Sequence, residues 1–168
     1  SLPLARLPAR RESLLSLSKE WTNGLGSLLF VAWGHGGFQR STPVFHVRGP
    51  RITPADFKNV ADKIDSAESR WFLFFRGSGA FAAQIAGDHR EIISSEHETM
   101  FSNDPIGMTL LLKGVRSNPQ NSFAQVAQEL GFATTAWYAD RSLARTEEPT
   151  LWLPGQRPRT LARAEADA

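Results

Sequence analysis

Two glycine-rich stretches hold the residues best suited to chemistry. The first, Gly34-His35-Gly36-Gly37, follows the apolar run Ser27–Trp33. The second, Arg76-Gly77-Ser78-Gly79, follows the apolar run Arg70–Phe75. A histidine between glycines is open to close approach, and its ordinary pKa suits proton transfer near neutral pH. The plainer alternative is a surface histidine in a tight turn. Gly77–Ala82 fits a G-x-G-x-x-A pattern between a strand and a helix, where Arg76 and the helix N-terminus would attract phosphate or another anion. Glu96 stands about twenty residues on, where a ribose-binding acid is sought. The same glycines also serve a sharp strand-to-helix turn with no ligand at all. Neither His46, His89 nor His97 has the spacing of a metal-ligating pair.

The elements that must position these stretches follow from periodicity. Leu14, Leu17 and Trp21 recur at helical steps and predict an amphipathic helix over 10–22, stopped by Asn23-Gly24. Ser27–Trp33 and Arg70–Phe75 read as fully buried parallel strands, and Glu91–Ser95 as a third. Val44–Arg48 reads as a short alternating strand. Thr53-Pro54-Ala55-Asp56 is a helix start, with Phe57, Val60, Ala61 and Ile64 on one face. A short helix spans Ala80–Ala86. Asp104-Pro105 opens another, closed at Gly114, and Ser122 with Gln125 starts a further one ending at Gly131. Thr134–Tyr138 reads as a late strand. Trp21, Trp33, Trp71, Trp137 and Trp152 read as core. From Pro154 the pattern dissolves, which predicts a mobile tail over 154–168 after a single domain at 10–153. Strands alternating with helices imply a three-layer α/β/α domain around a mostly parallel sheet. Ligands of such sheets sit at the carboxyl ends of the strands, where both glycine stretches fall.

Composition excludes several classes. The chain has 168 residues and no cysteine, which rules out disulfide scaffolds, thiolate metal sites and a cysteine nucleophile. With 19 basic and 17 acidic residues and no basic stripe, nucleic acid is not the expected partner. The apolar runs are too short to span a bilayer, and no secretory signal core is visible, so a cytoplasmic protein is expected. No cofactor or metal is expected. The opening Ser suggests a piece of a larger protein.

An apolar strand ending in Gly-His-Gly, followed by an apolar strand ending in a short glycine/serine turn, resembles the caspase–legumain group of cysteine peptidases. In that group the first motif carries the catalytic histidine, and the second strand ends in cysteine, as Ala-Cys-x-Ser-Gly or Ala-Cys-Arg-Gly. The resemblance implies a general-base position at His35 and a substrate pocket drawn from Gly34, Gly36, Gly77, Ser78, Gly79 and Glu98. Helix start Thr53–Asp56 is similar to a segment of bacterial members. Glu96–Thr99 looks like the pocket loop, and Glu147–Leu151 like a late Gln-Thr-Pro stretch. The similarity covers roughly 12–152.

The match fails where the chemistry is done. One alignment of the second motif puts Arg76 at the nucleophile position, the other Phe75, and neither side chain attacks a carbonyl. Ser78, just after that position on the first turn of the following helix, is the hydroxyl that could replace it. In the same fold a strand, a helix and a second strand precede the histidine motif, whereas only 26 residues precede Ser27. The resemblance therefore implies a catalytically inactive peptidase-like domain that binds protein or peptide, with a further chain or domain completing the sheet. Residual hydrolase activity and anion or nucleotide binding at Arg76–Gly79 are the alternatives.

Overall fold

The computed structural model describes residues 7–20, 26–64, 68–96 and 105–161. Trp21, Asn23-Gly24, His97, Glu98, Asp104 and the tail beyond 161 lie outside them. Helices α1 (Arg11–Glu20), α2 (Pro54–Lys63), α3 (Ser78–Ile85), α4 (Gly107–Ser117) and α5 (Phe123–Ala139) surround strands β1 (Ser27–Trp33), β4 (Glu68–Phe74), β5 (Arg90–Ser94), β6 (Thr150–Trp152) and β7 (Arg159–Thr160). A hairpin of β2 (Gly36–Gln39) and β3 (Thr42–Phe45) stands apart.

The main sheet runs β1-β4-β5-β6-β7. β1, β4 and β5 are parallel, paired Ser27 to Glu68 through Trp33 to Phe74, and Ser69 to Arg90 through Leu73 to Ser94. β6 and β7 add antiparallel. Side chains alternate across each strand, and the sheet accordingly carries two cores. Trp71, Leu73 and Ile92 face α2 and α3, where Phe57, Val60, Phe81 and Ile85 meet them. Phe74 and Ile93 face α4 and α5, against Met108, Leu111, Phe123 and Leu130. The architecture is therefore mixed α/β, a mostly parallel five-stranded sheet flanked by helices.

The helix starts form as their sequences require. Thr53 caps α2, its hydroxyl accepting from the Asp56 amide while the Asp56 carboxylate accepts from the Thr53 amide. Asp56 also receives Arg11 at 2.6 and 2.9 Å, which ties α1 to α2. Burial would raise the Asp56 pKa, but the bonds from Arg11 and Thr53 outweigh it and hold the carboxyl below its ordinary range. Ser122 and Gln125 make the same reciprocal cap on α5.

Six expectations change. β1 is an edge strand: among the described residues it pairs only with β4, and Leu29, Val31 and Trp33 are 64, 47 and 63% exposed. The strand expected at Val44–Arg48 is instead β3, ending at Phe45, because a turn with Arg40 in the left-handed region folds 36–45 into a hairpin. α4 runs past Gly114 to Ser117. Thr134–Tyr138 is helix, not strand: α5 continues through Gly131, and the Thr134 and Thr135 hydroxyls donate to the carbonyls of Leu130 and Gly131. From Pro154 the chain turns at Gly155 and returns as β7, with Leu161 against Gly131. Of the tryptophans, Trp71 and Trp152 are core, Trp33 is not, and Trp137 is half-buried beneath the Arg141 guanidinium.

Candidate functional site

Because β1 and β4 are parallel neighbours, the loops after Trp33 and after Phe74 leave the sheet side by side. Gly36 packs directly on the second loop: a Cβ there would lie 1.9 Å from the Arg76 carbonyl oxygen. Only glycine permits that approach. The His35 segment and the Arg76 turn thus share one site, as expected for neighbouring strands. His35 lies opposite His46 across the hairpin, with the His46 amide donating to the His35 carbonyl at 2.9 Å. Both rings are exposed. Burial pushes the His46 pKa down, and the charges of Arg51 and His35 push it the same way.

The second loop places Phe75 and Arg76 in different surroundings. Phe75 is wholly buried, packed on Phe45, Phe57 and Phe81 with ring centroids 4.5, 6.3 and 4.9 Å away. Arg76 is exposed and lies over the Phe38 ring of the hairpin, 5.9 Å from its centroid. Gly77 follows at φ 85°, a left-handed turn that carries the chain from β4 into α3.

Beneath this turn is a buried polar layer of Ser78, Ser95 and Glu96; of these, only Ser95 was given no role from the sequence. Ser78 is fully buried, and its hydroxyl shares a 2.9 Å hydrogen bond with that of Ser95. Ser95 also donates to the Phe75 carbonyl at 3.3 Å. Glu96 is fully buried and accepts from the Gly77 amide at 3.0 Å. The Gly77 amide, one of those an anion at this loop could use, is thus already bonded to a carboxylate. Ser78 therefore faces inward, and Gly79 is buried in the first turn of α3. Glu98 lies outside the described residues.

Glu147, noted in the sequence only within the Glu147–Leu151 stretch, is a second buried carboxylate, and its amide partners are distant in sequence. Glu147 accepts from the amides of Ile106 and Gly107 at 3.0 and 3.1 Å and from the Tyr138 hydroxyl at 3.0 Å. It anchors the start of α4, where the helix dipole favours an anion. Burial nevertheless pushes its pKa up, against those three hydrogen bonds.

The described residues contain no group of three His, Asp or Glu able to hold a metal. They also contain no helix long and apolar enough to cross a membrane. No model of a known family and no curated protein matches the chain.

Proposed function

We propose that this chain is a catalytically inactive, caspase/legumain-like domain that binds a protein or peptide at the carboxyl edge of β1 and β4. The observation that carries the reading is the packing of Gly36 on Arg76, which sets a histidine beside a residue that cannot attack. A guanidinium stays protonated and has no lone pair to offer a carbonyl. Ser78 is turned inward toward Ser95, so His35 has no exposed hydroxyl on this loop to activate. What remains at the edge is recognition: a donor-rich arginine, an imidazole and a hairpin wall. A further polypeptide that extends the sheet beyond β1 belongs to the same reading.

The test is a screen of peptide substrates and acylating serine probes at high protein concentration. No turnover and no covalent adduct are expected. Turnover that disappears with His35→Ala, or an adduct on Ser78, defeats the proposal and favours a residual hydrolase.

A further inference from the structure

β1 has the composition of an interior strand but the position of an edge. Its sequence, Ser-Leu-Leu-Phe-Val-Ala-Trp, carries no charge and no proline, the usual means of blunting an edge. Leu29, Val31 and Trp33 stand on the face that α4 and α5 leave bare. On the other face an open groove of about 580 Å³ runs beside the strand. Its floor is Phe30, Phe45 and Phe57, and its outer wall is Leu14 and Leu17 of α1. A strand laid against β1 would therefore find backbone to bond and apolar surface above and below.

The groove has a sign as well as a shape. Arg10, His35 and His46 line it, and among the described residues no acidic one does. From Gly26 to Ala55 the chain holds Arg40, Arg48 and Arg51 and no Asp or Glu. Arg48 is drawn to the groove's end by its amide, which donates to the Ala9 carbonyl. Arg51 lies near enough to His46 to lower its pKa. The nearest buried acid, Asp56, is bonded to Arg11.

We infer that the free edge of β1 receives an extended polypeptide segment, apolar along its length and acidic at the end that lies over Arg10, His35 and His46. The segment adds as a strand, in the manner of sheet augmentation, and its carboxylates meet the Arg10 guanidinium and the imidazole N–H donors of His35 and His46 at that end of the groove. This rests on the reading above, because it names the chemistry of the partner bound at the same edge.

The test uses fluorescence anisotropy with the full 168-residue chain and three labelled peptides. One is Val-Thr-Val-Ile-Val-Asp-Asp; the second replaces the two Asp with Lys; the third replaces the central Ile with Pro. The Asp peptide is expected to bind at least about ten-fold more tightly than either of the others, a difference of about 1.4 kcal/mol. The exposed double change Arg10→Glu, His46→Glu is expected to reverse the preference between Asp and Lys. Equal affinity for all three, or no binding of any, overturns the inference. So does a sedimentation result in which the chain pairs with itself and Val31→Lys separates the copies. Cleavage of the bound peptide would instead defeat the proposal of an inactive domain while leaving the binding chemistry standing.

Discussion

The two edges of one sheet are built to opposite rules. At the far edge β7 is two residues long, starts with Arg159 directly after Pro158, and is held by Leu161 packed on Gly131 of α5. Little ladder is left for another chain to join. At the near edge β1 is seven residues long, uncharged and bare on one face. Among the described residues, one edge is closed by the short β7, and the other keeps its pairing groups and its apolar side chains. Such an asymmetry teaches where association belongs, since an unguarded edge is a template for pairing.

The largest effect should come from a tryptophan swap between edges. Trp152 of β6 is buried and donates to the Ser94 hydroxyl at 2.9 Å. Trp152→Ala should cost about 3–5 kcal/mol in urea unfolding. An equal loss for Trp33→Ala would erase the contrast.

Next in size is Gly131→Val. A Cβ at Gly131 already meets Leu161 at 2.7 Å, so the substitution should cost about 1–3 kcal/mol by overpacking. It should also lift β7 and expose β6, read as new protease cleavage near 155–161. Unchanged cleavage would mean that Leu161 does not secure that edge.

A smaller effect separates the flanks by pH. The folded Glu147 pKa lies above its ordinary 4.5, so the folded state binds the extra proton. That contribution is full below 4.5 and is lost as pH rises through the raised value. The folded Asp56 pKa lies below its ordinary 3.8. Its contribution is present above 3.8 and is lost as pH falls through the lowered value. Hydrogen exchange should therefore show the start of α4 loosening with rising pH and the α1–α2 contact loosening with acid. Glu147→Gln should flatten the first trend alone.

The smallest effect on stability is expected at the open edge. Trp33→Ala removes a side chain that is 63% exposed and should change stability by no more than about 0.5 kcal/mol. Its readout is binding of an apolar dye, which should fall markedly.

The parallel strands and α2 were legible in the sequence because continuous apolar runs and the Thr53–Asp56 cap are local signals. The neighbourhood of His35 and Arg76 was legible too, once β1 and β4 are adjacent. That Phe75 is buried and Arg76 exposed was not legible, since both lie past the end of β4 in a turn whose course no local pattern fixes. Thr134 and Thr135 suggested a strand because β-branched residues favour one, yet in α5 their hydroxyls bond within the helix. β7 is too short to leave a pattern. Glu147 could not be read, as its amide partners lie about 40 residues away.

The contact between Gly36 and Arg76 has a mechanical meaning. Two backbones touch there without a side chain between them to absorb movement, and close-packed interiors pass displacement on rather than soaking it up. Arg76 in turn leads through Gly77 into α3, while Gly36 leads into the hairpin. A side chain at position 36 would have to part the hairpin from the turn into α3, so one glycine sets the spacing of the two.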